Sequence, residues 1–167
     1  LKEDTLKKDE RLKYLEIIDS NSKQILNLVN DIIDISTIES GKLELHYEEC
    51  DIDLLFENLT LTFEQIKLQR DKPNLKLKPV ESLSLKRLKL KTDIRRLKQI
   101  LINLIENAIK FSNKGTISYG YEKQGDFIKF YVKDEGIGII KSKQEQIFDS
   151  FKQLNYKNKE NYGGTGL

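Results

Sequence analysis

Hydrophobic residues near the start of the chain follow the spacing of one long amphipathic helix. Steps of three and four alternate through Leu15, Ile18, Ser22, Ile25, Val29, Ile32 and Ser36. This is the spacing of the apolar seam in a coiled coil or helix bundle. Gly41 follows Ser40, and glycine is the residue that most often takes the left-handed conformation at a helix C-terminus. We therefore predict a helix that ends near Gly41 and buries its seam against another chain or a segment outside these residues.

Two further stretches have helical spacing, and each begins after an aspartate. Asp51 and Asp93 are predicted N-caps, because a carboxylate there accepts the unpaired N–H groups of the first turn. The first of these helices is expected to end before Pro73, since proline disfavours helical backbone at the preceding residue. The predicted buried faces are Leu54, Leu55, Leu59, Phe63 and Ile66 in the first helix, and Leu97, Ile100, Leu101, Leu104, Ile105, Ala108 and Ile109 in the second.

Shorter stretches alternate apolar and polar residues with the period of a β-strand. They include residues 43–48, which contain the only histidine, His46, and residues 75–80. The strands predicted at 116–121 and 127–132 are joined by a short loop with Gly125, which predicts a hairpin. The leucine alternation slips by one near Lys86-Arg87, so we expect a turn or bulge there. Helices and strands together predict an α+β chain.

Composition and charge narrow the function classes. With 167 residues, of which 38% are hydrophobic, the chain can form one sizeable core plus an appendage. Basic and acidic residues number 29 and 27, so a net charge of +2 gives no overall field that favours nucleic acid. Cys50 is the single cysteine, and no apolar run reaches the roughly 20 residues of a membrane span. We expect a reducing, cytoplasmic setting, which leaves open a membrane anchor in a parent protein.

The helix after Asp93 carries polar residues that a simple packing helix does not need. Asn103 and Asn107 are four residues apart and share one face, and Lys110 and Phe111 follow one turn later. Amide oxygens can bind Mg²⁺ and a lysine ammonium can meet phosphate. The alternative is a pair of solvated asparagines on an exposed stripe, and this helix alone does not decide between the two.

A second candidate group follows the last predicted strand. Asp134 can accept a hydrogen bond from the exocyclic amine of adenine. Gly136 and Gly138 would let the backbone approach the base and turn without a Cβ clash, and Ile139 offers an apolar lid. The alternative for these residues is a plain turn between a strand and a loop.

Two later segments complete an ordered set of motifs. Residues 147–151 read IFDSF, and the chain closes with GGTGL at 163–167. In this order and spacing, the asparagine helix, the DEGIG segment and these two segments resemble the N, G1, F and G2 boxes of sensor histidine kinases. That family belongs to the wider superfamily of GHKL-type ATPases. The resemblance covers nearly all of the chain.

The resemblance implies roles for individual residues. It makes Asn107 the Mg²⁺ ligand, has Asn103 support the same side of the pocket, and directs Lys110 to phosphate. Residues 152–162 would form a lid that closes over ATP. The implied nucleotide-binding residues are Asn103, Asn107, Lys110, Phe111, Asp134, Gly136, Gly138, Ile139, Phe148, Phe151, Gly163, Gly164, Thr165, Gly166 and Leu167.

The chain also departs from the family pattern. The phosphoacceptor histidine and its neighbouring acid are absent, and His46 lies in a strand-like run that reads as structural. The chain stops at Leu167, inside the G2 box. We therefore assign no catalytic residue, and we expect weak or no ATP binding and no autophosphorylation in cis by these residues alone.

These observations lead to one interpretation with two alternatives. The fold is predicted as α+β, with one bundle helix followed by an incomplete α/β sandwich of the Bergerat type, a mixed sheet with helices on one face. Residues 1–41 would belong to the dimerisation and phosphotransfer region, and residues 42–167 to a catalytic domain truncated after the G2 box. The predicted function is ATP-dependent phosphorylation of a histidine for relay to a response regulator receiver domain, in a homodimer with Mg²⁺. The alternatives are another GHKL-type ATPase or protein kinase, and a non-catalytic dimerisation or regulatory module.

Overall fold

The computed structural model describes residues 8–80 and 88–148. The residues divide into two units, one formed by 8–44 with 145–148 and the other by 45–80 with 88–144. The elements are α1 (Lys8–Glu39), β1 (Glu48–Asp51), α2 (Ile52–Gln69), β2 (Leu75–Val80), β3 (Lys89–Thr92), α3 (Ile94–Phe111), β4 (Gly115–Gln124), β5 (Phe127–Lys133), and two short 3₁₀ helices at Lys141–Lys143 and Glu145–Phe148.

Helix α1 accounts for most of the first unit. It ends as predicted at a left-handed glycine, because Gly41 has φ of 66°. The N–H of Gly41 donates to the carbonyl of Ile38 at 3.0 Å, and the N–H of Lys42 donates to the carbonyl of Thr37 at 3.1 Å. These two bonds form a Schellman motif that pairs the last carbonyls of the helix. The apolar seam residues Leu15, Ile18, Ile25, Val29 and Ile32 are exposed.

The second unit is built on two small sheets. In the three-stranded sheet of order β2-β4-β5, β2 runs parallel to β4 and β5 runs antiparallel to it. The other sheet is the antiparallel pair β1 and β3. Alternate residues of β4, namely Ile117, Tyr119 and Tyr121, are buried beneath the helices. The described elements confirm the α+β class and the mixed sheet with helices on one face.

Helices α2 and α3 contribute most of the buried core. Both predicted caps are confirmed, because Asp51 accepts from the N–H of Leu54 and Asp93 accepts from the N–H of Arg96. Phe63 and Tyr119 meet edge to face, with ring centroids 5.4 Å apart. The hydroxyl of Tyr119 donates to Thr60 Oγ1 at 2.9 Å, so its buried polar end has a partner. This core holds α3 in a fixed rotation over the sheet.

The strand predicted at residues 43–48 is wrong. Strand β1 begins only at Glu48, and residues 42–47 have no regular structure. Strand β3 consists of the four residues 89–92, and it pairs only with residues 48–51. Residues 43–47 therefore have no described strand to pair with. His46 is therefore a loop residue rather than a strand residue. The turn or bulge predicted near Lys86-Arg87 lies outside the described residues.

The predicted apolar faces of α2 and α3 were too wide in places. Ile100 and Leu104 are 57% and 46% exposed, and Leu54 is also exposed. The buried side of α3 is narrower and comprises Leu101, Ile105, Ala108 and Ile109. Phe56, which the spacing argument omitted, is buried in α2. Among the described residues, no helix combines the length and the apolar character needed to cross a membrane.

Candidate functional site

Helix α3 is the platform of the candidate site. The buried carboxylate of Asp93 holds its N-terminus and also accepts the backbone N–H of His46 at 3.0 Å. The hydrogen bond from His46, followed by that from Arg96, lowers the pKa of Asp93. Because one side of α3 is buried in the core, the opposite side is fixed toward solvent. Asn103 and Asn107 both lie on that exposed side.

The last turn of α3 carries the candidate phosphate-binding lysine. Lys110 is half-buried, and its Nζ lies 4.8 Å from the centroid of the Phe111 ring. Burial lowers the pKa of Lys110, and the positive charge of Arg70 lowers it further. Arg70 Nη2 lies 3.6 Å from Glu106 Oε2, which is one residue before Asn107. The charged form of Lys110 is therefore disfavoured at this position, and a bound anion would stabilise it.

Strand β5 ends at Lys133 and delivers Asp134 to an exposed position at the start of a loop. Oδ1 of Asp134 accepts the backbone N–H of Gly136 at 2.8 Å, which closes a tight local turn. Among the described residues, Oδ2 of this carboxylate has no hydrogen bond. One oxygen thus fixes the side chain, while the other is available to an external donor.

The loop after Asp134 packs against the C-terminal end of α3. The N–H of Ile137 donates to the carbonyl of Phe111 at 3.3 Å. A Cβ at Gly136 would lie 2.6 Å from the same carbonyl oxygen, so only glycine allows this approach. Asn107 lies one turn before Phe111, about 6 Å along the helix axis. The structure therefore brings the Asp134 loop close to the end of the helix that carries Asn107 and Lys110.

A second contact anchors the other side of this loop. Oε2 of Glu135 accepts the backbone N–H of Thr116 at 3.1 Å, which ties the loop to the start of β4. Gly138 has φ of 68°, a conformation that favours glycine, although a Cβ there would meet no described atom within 4 Å. Ile139 follows and is exposed. The two glycines thus serve different needs, close packing at 136 and backbone conformation at 138.

Of the remaining sequence-predicted residues, the structure describes only Phe148. Phe148 is the last residue of the 3₁₀ helix Glu145–Phe148, which belongs to the first unit. The other predicted residues, namely Phe151, Gly163, Gly164, Thr165, Gly166 and Leu167, lie outside the described residues. The lid predicted at 152–162 lies there as well.

Three residues near the candidate site were not assigned a role from the sequence. Ser112 ends α3 and is buried next to Gly136. Glu135 lies within the DEGIG motif but received no role of its own, and Arg70 received none. Nothing in the sequence indicates the contacts of Arg70 or Glu135, because these contacts join segments that lie far apart in the chain. For Ser112, a hydroxyl directly after the asparagine helix was the only available hint.

The donor set suits a magnesium nucleotide better than a metal held by protein alone. The residues the structure describes contain no group of three or more His, Cys, Asp or Glu side chains that could hold a metal ion. Mg²⁺ in nucleotide sites keeps several waters and takes few protein oxygens, so exposed amide oxygens fit it. The carboxylate of Asp134 and the close-packed Gly136 fit the edge of a base. These residues therefore fit the predicted ligand.

Comparisons with protein families and relatives give a consistent result. Residues 92–167 match the family model described as Histidine kinase-, DNA gyrase B-, and HSP90-like ATPase. The Circadian input-output histidine kinase CikA of Synechococcus elongatus is 37% identical over 157 residues, which is 93% of this chain and 20% of that protein. The chain spans no more than 20% of the length of the first curated relatives that it matches.

Solved structures agree with these similarities. The histidine kinase AdeS of Acinetobacter baumannii superposes with a TM-score of 0.68 at 28% identity, over 89% of this chain and 70% of that chain. The histidine kinase ThkA, solved in complex with the response regulator protein TrrA, gives a TM-score of 0.65 at 25% identity, over 90% of this chain and 43% of that chain. The fold and the sequence thus point to the same group of proteins.

Proposed function

We propose that this chain works as the catalytic part of a sensor histidine kinase, because residues 92–167 match the family model of histidine kinase-like ATPases and the histidine kinases CikA and AdeS are similar to most of this chain. One contact in particular supports the proposal. The N–H of Ile137 donates to the carbonyl of Phe111, which joins the loop of Asp134 to the helix of Asn107 and Lys110. The carboxylate that we propose to recognise the base and the helix that we propose to meet the phosphates are thereby joined by a direct contact.

The adenine end of the proposed site is the loop after β5. Asp134 accepts a hydrogen bond from the exocyclic amine of adenine through Oδ2, the oxygen that no described residue contacts by a hydrogen bond. Gly136 keeps the loop packed against the end of α3, and Gly138 leaves room for the base. Ile137 and Ile139, both exposed, supply apolar surface for its ring. Burying these side chains against the base would add to affinity, because apolar area leaves water.

The phosphate end is the exposed side and last turn of α3. Asn107 contributes an amide oxygen to Mg²⁺, with Asn103 one turn earlier on the same side. When bound, Mg²⁺ neutralises phosphate charge and orients the terminal phosphoryl group. Lys110 meets the phosphates, and their negative charge would raise its pKa back from the lowered value of the unliganded site. Phe111 packs beside the nucleotide.

We propose that the phosphoryl group passes to a histidine outside residues 1–167. The P–O bond to ADP breaks and a P–N bond to an imidazole nitrogen forms, with the protein mainly positioning the reactants. We do not expect His46 to be the acceptor, because it lies in the loop before β1 and not on a bundle helix. The phosphoryl group would then pass to a response regulator, the partner with which ThkA was solved.

The domain assignment follows from the same proposal. Residues 1–41 would be a helix of the dimerisation and phosphotransfer region that pairs in a homodimer, and residues 42–167 the nucleotide-binding domain. The exposed seam of α1 supports this, since an apolar face of that length is stable in water only when a partner covers it. We expect the reaction to take place in the cytoplasm.

The deciding experiment is phosphorylation of the full-length protein with radiolabelled ATP and Mg²⁺. We expect label on the protein that is lost in acid and retained in base, because the P–N bond of phosphohistidine is acid-labile. Acid-stable label would instead indicate a serine-type protein kinase, and release of phosphate without label would indicate an ATPase. Absence of any turnover would favour the non-catalytic alternative.

A second arm separates catalysis from the acceptor. The full-length protein with its acceptor histidine replaced by alanine would be mixed with a separate helical hairpin that carries that histidine. We expect label on the hairpin only when both are present, and none on the altered protein alone. Label on His46 of the altered protein would contradict the proposal.

A further inference from the structure

We infer that Ser112 is a positioning residue for Asp134 and that its hydroxyl strengthens selection of adenine over guanine. The inference rests on the proposed function, because it concerns the same nucleotide site. It starts from a buried polar atom for which the described part of the chain offers no hydrogen-bond partner.

Ser112 lies directly after α3 and is only 1% exposed. Its backbone is extended, with φ of −114° and ψ of 135°, so the chain turns away from the helix at this residue. Among the residues described, Ser112 Oγ has no hydrogen-bond partner although it is shielded from solvent. A buried hydroxyl without a partner is unfavourable, because it has lost its hydrogen bonds to water. Such a group calls for an explanation other than stability.

The position of Gly136 shows which groups surround this hydroxyl. A Cβ placed on Gly136 would lie 2.7 Å from Ser112 Oγ and 2.7 Å from Asp134 Oδ1. The same point lies 2.6 Å from the carbonyl oxygen of Phe111. Three oxygen atoms therefore converge on one glycine. Any side chain at 136 would separate the serine from the aspartate.

The hydroxyl has one strong acceptor within a short movement. The carbonyl of Phe111 already accepts from Ile137, whereas Asp134 is a carboxylate with several acceptor positions. Hydrogen bonds to ionised acceptors are shorter and stronger than those between neutral groups. A small shift of the loop toward α3 would let Ser112 donate to Oδ1 of Asp134. That bond would join the existing one from the N–H of Gly136.

This second bond would fix the direction of the carboxylate. With Oδ1 held by Ser112 and Gly136, Oδ2 would face the base and accept the exocyclic amine of adenine. Guanine presents a carbonyl oxygen where adenine presents that amine, so a fixed carboxylate repels it. The loop can close in this way because the chain leaves no Cβ at position 136. Base binding would thus give the hydroxyl a partner that none of the described residues provides.

The inference predicts that Ser112→Ala changes thermal stability and ATP affinity independently of each other. Removing the hydroxyl removes an unsatisfied buried group, so Ser112→Ala should leave the Tm of the nucleotide-free protein equal or higher. The same substitution should weaken ATP binding about tenfold, the scale of a lost hydrogen bond to a charged group. Binding of GTP should change little. A residue with a merely structural role would lower Tm and leave the ratio of ATP to GTP affinity unchanged.

The test is calorimetric titration of the full-length protein with ATP and with GTP, together with thermal unfolding without nucleotide. The matched control is Thr60→Val. This substitution removes a partly buried hydroxyl that accepts a hydrogen bond from Tyr119 and donates one to the carbonyl of Phe56. The control should lower Tm and leave the ratio of affinities unchanged. In an Asp134→Ala background, which removes the acceptor oxygens, Ser112→Ala should have no further effect on ATP binding, because the serine acts through the aspartate.

The outcomes are distinct. A fall in Tm with an unchanged ATP to GTP ratio would overturn the inference and leave the proposed function intact. If Ser112→Ala reduced ATP affinity equally with Asp134 present and with Asp134 replaced, the inference would also be overturned and the proposed function would stand. If the unaltered full-length protein binds neither nucleotide, both the proposed function and the inference fail.

Discussion

At the residue scale, the loop after β5 shows how one glycine-containing motif meets two physical needs. Gly136 is required because Phe111 O, Ser112 Oγ and Asp134 Oδ1 already occupy the space of a side chain. Gly138 is required because φ of 68° is costly for residues with a Cβ. The motif could be predicted from the sequence, since aspartate and glycine carry recognisable chemistry. The supporting roles of Ser112 and Glu135 could not, because they depend on contacts between segments that only folding brings together.

Asn107 is the residue on which a metal-dependent prediction rests. Replacing Asn107 with Ala should reduce Mg²⁺-dependent phosphoryl transfer by the full-length protein at least about 100-fold, because loss of a metal ligand costs no less than loss of its supporting groups. The free energy of unfolding should change by less than about 0.5 kcal/mol, since the side chain is exposed. Radiolabel transfer and urea unfolding would measure the two quantities.

Asn58→Ala is the matched control for this change. Asn58 is also an exposed helical asparagine, and it lies on α2. Its substitution should leave phosphoryl transfer unchanged. Equal activity of the two variants would show that Asn107 does not serve the metal.

At the element scale, the ends of helices were easier to predict than their buried faces. A cap depends on a few neighbouring residues, so Asp51, Asp93 and Gly41 could be identified locally. Burial depends on which surface the other elements cover, so the spacing argument extended the α3 face to Ile100 and Leu104, which are exposed. The same limit explains residues 43–47, whose alternation matched a strand although β3 is too short to pair with them.

The core contacts of α2 predict a large difference between two nearby residues. Phe63 is fully buried against Tyr119, whereas Leu61 is 68% exposed on the same helix. Phe63→Ala should lower the free energy of unfolding by about 3–5 kcal/mol, since it removes buried area and leaves a cavity. Leu61→Ala should change it by less than about 0.5 kcal/mol. Similar losses in urea unfolding would contradict the described packing of α2.

The cap of α3 predicts a pH-dependent stability. Hydrogen bonds from His46 and Arg96 lower the pKa of Asp93 from its ordinary value of 3.8. The ionised carboxylate therefore stabilises the fold above that value, and this stabilisation is lost as the pH falls through the lowered pKa. Asp93→Asn should be less stable than the unaltered protein at pH 7, and the gap should narrow in acid, below the ordinary value.

Urea unfolding of both proteins at pH 7 and in acid would measure this effect. Asp126→Asn, which removes a carboxylate from the exposed turn between β4 and β5, is the control for a general loss of charge. A stability gap for Asp93→Asn that stays constant with pH would contradict the assigned cause.

At the scale of the whole molecule, two units of different character share one chain. The second unit has its own core and presents the candidate nucleotide site, whereas α1 exposes an apolar seam. The seam could be predicted from its spacing alone, because every helical turn repeats it. The partner that covers the seam could not be predicted, because the sequence of one helix does not specify which helix packs against it.

The seam of α1 predicts a homodimer that buried charges should disrupt. Glutamate at Ile25 and Ile32 would place charges in the proposed helix interface, where burying them is unfavourable. We expect the double variant Ile25→Glu, Ile32→Glu to sediment as a monomer under conditions where the unaltered protein is a dimer. Asn27→Glu, at an exposed position between seam residues, should remain dimeric. A dimer that survives the double change would place the interface elsewhere.

The hydrogen bond from His46 to Asp93 sets a length for the connection between helix α1 and helix α3. His46, whose N–H is fastened to the start of α3, comes only five residues after Gly41, where α1 has ended. A fully extended chain of five residues reaches about 17 Å. As long as that bond holds, each residue inserted or deleted between Gly41 and His46 changes the reach of this connection by about 3.5 Å.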